Sequence, residues 1–209
     1  MLALNKTAEA SDVCLRGLRL ESGNLALKKL NKTVQSRQEI EDLKARKRAI
    51  EEYKKQKKQF MLTTALKARN INLRGSAKPP DLEDAEIQLS PDPMDPKSML
   101  VFPVVLLYPM HAQSDFVKQF AEKDTIIDHL SFIFPLPWDT KQEYRLDTVD
   151  CYMDTTSRGM AKIGKKLSLL EALTTGKTQI VNGLVRIHVV PISLAGKWVE
   201  EMKKRKAGE

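Results

Sequence analysis

Apolar and polar positions divide this chain near residue 99. Before that point apolar residues form thin helical stripes between charged runs, and after it they condense into short, dense runs. In residues 1–22, Ala3, Leu4, Ala8, Ala10, Val13, Cys14, Gly17, Leu18 and Leu20 give two short apolar faces broken around Asn5–Thr7. This predicts a helical hairpin with small residues where its helices pack closely. Ser22, Gly23 and Asn24 mark a stop and a new N-cap. From Leu25 to Arg69 there is no proline or glycine, and helix-favouring Lys, Arg, Glu, Gln, Ala and Leu dominate. Apolar residues are sparse there (Leu27, Leu30, Val34, Ile40, Leu43, Ile50, Tyr53), and Lys47 stands where a seam would need an apolar side chain. The stretch reads as one long, exposed connecting helix without a sustained coiled coil. Its last turns, "FMLTTALKARNI", become apolar again and are expected to dock on the C-terminal part of the chain.

Gly75 to Ser98 holds five prolines and six acidic residues and reads as a linker over the surface, with one short strand at Ala85–Leu89. The compact domain comes next. "LVFPVVLLYP" is a buried strand with Pro103 as a break or edge feature. "SDFVKQFAEK" reads as a helix with Ser114 as N-cap. "TIIDHLSFIF" reads as another, with Thr125 and Asp128 in a capping box and Pro135 as its stop. "VDCYMDT" alternates as a strand does, and "MAKIG" is a short one. "SLLEALTTG" is a short helix between Ser168 and Gly176. "QIVNGLVRIHVV" is a hairpin turning at Asn182-Gly183, and a basic helix runs from Ser193 to Lys206. The mixture lacks a regular βαβ rhythm, so the fold class is α+β: a helical hairpin and a long charged helix, then a mixed sheet with flanking helices. Three segments result: 1–74, the linker 75–98, and the domain 99–209.

The chain has 209 residues and a formal net charge of +8; residues 28–58 hold roughly +7 of it. The basic balance is therefore local. It points to an acidic partner for one segment (an acidic chaperone tail, RNA or anionic lipid) and not to a nucleic-acid-binding protein as a whole. Cys14 and Cys151 are far apart and form no CxxC, so a reducing compartment is the simpler reading. The longest apolar run, Met99 to Met110, falls short of the ~18–20 residues of a membrane span. The N-terminus lacks the basic-then-apolar order of a signal peptide. The expectation is a cytoplasmic protein, with the nucleus as a second location and no membrane partner.

Chemistry candidates weigh little against their structural readings. Cys151 sits in an alternating strand with no histidine placed beside it, and buried free cysteine is common in cores. His111, His129 and His188 have no metal-ligand spacing. Gly176-Lys177-Thr178 lacks the earlier glycine of a P-loop, where Glu171 stands instead, and it closes a helix rather than opening one. The acidic "DLED" and "DPMD" clusters lack the alternation of a calcium loop. No cofactor or metal is expected. In the long helix, Lys44, Arg46, Lys47 and Arg48 form the basic stretch with partner-binding potential. Acidic residues interleave with it and only Tyr53 offers a stacking ring, which disfavours nucleic acid. In "FPLPWD", Pro137 stiffens the exit from a helix. Trp138 is expected to pack its ring on the domain, or to form part of a client-facing patch, and Asp139 to bond its own backbone in a turn; the two together are candidate partner contacts.

"PPDLEDAEIQL", "DPMDPKSMLVFPVVLLYPMHAQSDFVKQF", "FPLPWD", "VDCYMDT" and "GLVRIHVVP" together resemble the C-terminal wheel domain of tetratricopeptide-repeat co-chaperones. The family is that of yeast cyclophilin-seven-suppressor protein and human tetratricopeptide-repeat protein four, and the similarity covers about residues 78–209. Ala10, Cys14, Gly17-Leu18 and Ser22 resemble the second helix of a 34-residue repeat, with serine in place of the usual proline. The long helix after it resembles the extension that covers a last repeat. The resemblance implies a non-enzymatic co-chaperone of the ninety- and seventy-kilodalton heat-shock proteins that matures clients, including clients in the translation machinery. In that family, lysines, asparagines and an arginine in the first helices of the repeats clamp the chaperones' C-terminal carboxylates. Those positions have no counterpart here, so the expectation is a truncated product or shortened relative with the clamp lost and the wheel domain's partner or client function kept. The alternative reading is a basic RNA- or ribosome-associated interaction module.

Overall fold

The computed structural model describes residues 7–207 except 78, 81 and 158. They divide into two compact units, residues 1–57 and 58–209. In the first, helix α1 (Thr7–Leu20) packs on the beginning of α2 (Leu25–Ala68). Ala10, Cys14 and Val34 are buried there. Gly17 permits the approach, since a Cβ at that position would lie 2.9 Å from Leu27 Cδ1. Asn24 caps α2: its Oδ1 accepts from the Leu27 amide at 3.1 Å. The hairpin expected within residues 1–22 has its first half outside the described residues. What is described is a single helix, α1. The long helix is present as expected, and its middle is exposed all round.

In the second unit the last turns of α2 join the core through Ala65, Leu66 and the nearby Ile71. Arg69 fixes them. Its Nε lies 2.7 Å from Glu122 Oε2, and its Nη2 donates to Glu122 Oε1 at 3.1 Å and to Ser98 O at 2.9 Å. Its Nη1 donates to Pro96 O at 3.1 Å.

The strands are β1 (Leu73–Arg74), β2 (Gln88–Ser90), β3 (Met99–Tyr108), β4 (Gln113–Ala121), β5 (Val149–Asp154), β6 (Met160–Ile163), β7 (Ile180–Val181) and β8 (Val185–Pro191). Helix α3 (Ile126–Ile133) comes after β4, α4 (Leu169–Thr174) after β6, and α5 (Ile192–Ala207) after β8. The main sheet has six strands, and ten-residue β3 organises it. β4 runs antiparallel along one edge of β3. On the other edge β2 pairs with residues 99–101 and β8, in parallel, with residues 104–107. β8 continues to β5 and then β6, both antiparallel. Pro103 sits between the β2 and β8 pairings, at the register shift between Phe102 and Val104. Its missing N–H therefore falls where the ladder is already interrupted.

Three expectations change. The segment from Ser114 is a strand, β4, and not a helix. Phe116, Val117 and Phe120 fit a helical face, but pairing along the length of β3 decides the outcome, and strand formation depends on such partners more than on local preference. The segment 75–98 lies inside the second unit: β2 pairs with β3, and Ala85, Ile87 and Leu89 are buried. Local signals stand as expected. Thr125 with Asp128 and Ser168 with Glu171 form complete capping boxes. Gly176 has φ +70°, and Asn182 and Gly183 turn at φ 55° and 75°. The Asn182-Gly183 turn joins β8 to a two-residue β7, but the hairpin expected there shrinks to a single Val181–Leu184 bridge, because β7 pairs in parallel with β1 in a separate two-stranded sheet.

Candidate interaction site

At the C-terminal end of β3 four rings form a corner. Tyr108 closes the strand, and its ring centroid lies 5.2 Å from Trp138 and 5.4 Å from Tyr144. Trp138 is 5.1 Å from Tyr144 and 5.0 Å from His111. All but the last of these pairs are edge-on, the geometry that aromatic quadrupoles favour. Tyr108 and Tyr144 are buried, Trp138 is half-buried and His111 is exposed, so the corner shows Trp138 and His111 to the outside.

The loop that carries Trp138 is held by its own polar groups. Asp139 accepts from the amides of Glu143 at 3.0 Å and Tyr144 at 2.7 Å. Its carboxylate is thus committed to the backbone. Lys165 Nζ donates to Leu146 O and, at 2.6 Å, to Val149 O, fastening the loop's end to β5. Glu143 Oε2 lies 3.5 Å from His111 Nε2. Glu143 also lines a cavity of about 340 Å³ with Asp147, Thr148, Pro191, Ile192 and Ser193. Burial pushes the Tyr144 hydroxyl up to about 12, and the carboxylates of Glu143 and Asp139 add to the shift. Tyr108 is raised further, first by burial and then by its 2.8 Å hydrogen bond to Asp115.

Nucleophile and metal readings gain nothing from this geometry. Cys151 is buried in β5, and burial pushes its thiol up to about 12, against a lowering influence from Lys165. His129 stacks on Phe120 at 3.8 Å and meets Asp124 at 3.0 Å. His188 lies under Trp198 at 5.1 Å. Among the described residues no cluster of His, Cys, Asp and Glu is arranged to hold a metal ion.

Of the sequence candidates, Trp138 and Asp139 sit together at the corner. Lys44, Arg46, Lys47 and Arg48 lie on the exposed middle of α2, in the other unit. His111, Glu143 and Tyr144 join the corner without having been anticipated; the spacing of Asp139 to Glu143 and Tyr144, suited to a side-chain-closed turn, was the available signal for the last two.

Residues 92–202 match the family model described as Cns1/TTC4 Wheel domain. The chain belongs to this Wheel-domain family. Its similarity extends to "Hsp70/Hsp90 co-chaperone cns1" of Schizosaccharomyces pombe, 44% identical over 68% of this chain and 40% of that protein. Human "Tetratricopeptide repeat protein 4" is 30% identical over 82% of this chain and 49% of that one. Among solved structures, "Hsp90 co-chaperone Cns1 from Saccharomyces cerevisiae (delta69)" superposes with a TM-score of 0.84 at 25% identity, covering 99% of this chain and 69% of that one. The chain thus spans about half the length or less of these two curated relatives. The corner, with Trp138 and Asp139, lies inside the matched Wheel region.

Proposed function

We propose that this chain serves as the Wheel-domain part of a non-enzymatic Hsp70/Hsp90 co-chaperone and that the domain binds partners or clients. The observation that carries this is the Wheel match over residues 92–202 in a chain whose relatives are named Hsp70/Hsp90 co-chaperones. The His111–Trp138 corner and the adjoining cavity supply the contact: a partly exposed aromatic pair packed on buried tyrosines, beside a hollow lined by Pro191, Ile192 and polar side chains, is the composition of an interface anchor. Clients in the translation machinery and a cytosolic location belong to the same reading. The free, buried state of both Cys14 and Cys151 supports a reducing compartment.

The described residues contain one repeat-like helix, α1, followed by the long extension α2, and about three repeats are needed for a stable array. The chain as given is therefore expected to bind a chaperone C-terminal peptide more weakly than about 1 μM, roughly −8 kcal/mol. Two measurements test the proposal. Calorimetric titration with that peptide should give no micromolar binding. In a light-scattering assay, the chain should delay aggregation of a thermally unfolding reporter protein, and a Trp138→Ser, His111→Ser variant of unchanged helicity should not. An equally protective variant would remove the corner from the reading, and a wild-type chain without effect would remove the client-binding role. The exposed basic stretch Lys44–Arg48 favours the RNA-associated reading if the chain binds RNA with a steep salt dependence.

A further inference from the structure

The main sheet has two faces with different fates. Phe102, Val104, Leu106 and Tyr108 of β3 point into the large core, with Val185, Ile187 and Val189 of β8 and Cys151 and Met153 of β5. The alternate residues form the opposite face, where strand register places them in rows. Phe116, Val105 and Arg186 line up across β4, β3 and β8, and Ser114, Leu107, His188 and Tyr152 form the next row, reaching β5. Helix α5 covers part of this face. Its Ala195 and Trp198 bury Tyr152 and Val190, with Trp198 5.5 Å from Tyr152 and 5.1 Å from His188. On the β3–β4 side the cover is incomplete: Val105 and Leu107 are only half-buried and Phe116 is 50% exposed.

The charge on this strip is specific. Arg186 is half-buried, and among the described residues no carboxylate lies within ion-pair distance of it. The other charged groups nearby have company. Asp154 lies 3.9 Å from His188 Nε2, Asp150 holds Lys162 at 2.6 Å, and Asp84 holds Lys118 at 2.5 Å.

We propose that the open strip of β4, β3 and β8 docks an acidic, amphipathic helix of a partner protein. Its apolar side rests on Phe116, Val105 and Leu107, and one of its carboxylates pairs with Arg186. From β8 to β4 is two strand spacings, about 9.6 Å. Neighbouring helices pack about 8–10 Å apart. One further helix beside α5 therefore fits and completes the layer. The arginine selects the sign, because a covering helix with no acid would strip water from a guanidinium and give nothing back. This strip is on the face opposite to that occupied by Tyr108 and the aromatic corner, so the proposal stands or falls separately from the corner.

The test is a titration of the ¹⁵N-labelled full chain with a synthetic amphipathic peptide of about 16 residues, Leu and Ala on one side and Glu on the other, and with its Lys counterpart. The expected result is amide shifts centred on Val105, Leu107, Phe116 and Arg186, and at least about tenfold tighter binding of the acidic peptide. Arg186→Glu should weaken the acidic peptide by about tenfold or more and bind the Lys peptide instead. Phe116→Ser should weaken binding without changing tryptophan fluorescence. Three results overturn the proposal: no shifts in the strip, shifts confined to Lys44–Arg48 of α2, or unchanged affinity in Arg186→Glu. So does a sedimentation profile in which the strip is covered by a second copy and Phe116→Ser releases monomer.

Discussion

Replacing Arg69 with methionine should cost the second unit much of its stability. The guanidinium makes a two-pronged contact with Glu122, at 2.7 and 3.1 Å, and also serves the carbonyls of Pro96 and Ser98. The side chains are 17% and 4% exposed, so solvent screens the pair little. Removing one member of a buried pair costs about 3–5 kcal/mol, chiefly because the other charge is left without compensation. The Glu122 backbone is fixed, its amide donating to Leu100 O and its carbonyl accepting from the Leu170 amide, both at 2.9 Å or less, and its side chain is buried. Methionine keeps the packing of the stem, so the expected loss is about 4 kcal/mol, out of the roughly 5–15 kcal/mol typical of a domain. For a unit of this size that corresponds to a midpoint lower by roughly 8–16 °C.

The assay is urea unfolding monitored by tryptophan fluorescence, since Trp138 and Trp198 are the only two tryptophans and both lie in the second unit. The decisive comparison is the double variant Arg69→Met, Glu122→Leu. With both charges gone, no unpaired carboxylate remains, and the double variant should be more stable than Arg69→Met alone by about 2 kcal/mol or more. A loss below about 1 kcal/mol in the single variant, or a double variant no better than the single, would refute the assignment of Arg69 as the pin between α2 and β3–β4.

Three further outcomes rest on burial and on turn closure. Cys151 should resist thiol reagents at neutral pH until the unit unfolds; both Cys151 and Tyr144 titrate near 12 when folded, against ordinary values of 9.0 and 10.0, because of burial. The folded state thus keeps protons that the unfolded chain releases, so the stability they contribute is whole below about pH 9 and is lost as pH rises towards about 12, which urea midpoints at stepped alkaline pH would reveal; rising midpoints would contradict it. Asp139→Ala removes the acceptor of two amides and should cost about 2–4 kcal/mol by the same fluorescence assay, with Asp139→Asn losing less; an Ala variant as stable as the wild type would show that the turn closes without its carboxylate.

What was legible in the sequence was local. Capping boxes need partners three residues apart, so Thr125–Asp128 and Ser168–Glu171 announced α3 and α4. Asn182-Gly183 announced its turn, and the absence of proline and glycine announced α2. What escaped depended on distant partners. β4 carries a helix-like spacing of aromatic and β-branched residues, and only the length of β3 beside it makes it a strand. The alternating Ala85, Ile87 and Leu89 hinted at a strand, but the burial of that segment comes from docking on β3. At the corner, "FPLPWD" exposed Trp138 and Asp139 to inspection, whereas His111 and Tyr108 arrive from the β3–β4 turn, which no spacing rule connects to them.

Binding capacity in this unit is best judged by which groups the fold has already used. Asp139, expected with Trp138 as a partner contact, spends its carboxylate on the Glu143 and Tyr144 amides, so what it does in the fold is close the loop that carries Trp138. Trp138 keeps part of its ring outside, packed on Tyr108 and Tyr144, which lowers the entropy lost when a partner covers it. Arg186, unremarkable in the sequence, keeps an unmatched charge in one row with Val105 and Phe116 on the opposite face. If both proposed surfaces bind, one aromatic beside carboxylates and one apolar around a cation, their different character suits two different partners rather than one partner bound twice. A client and a second protein bound to opposite faces would not compete, and each face is open to its own substitutions.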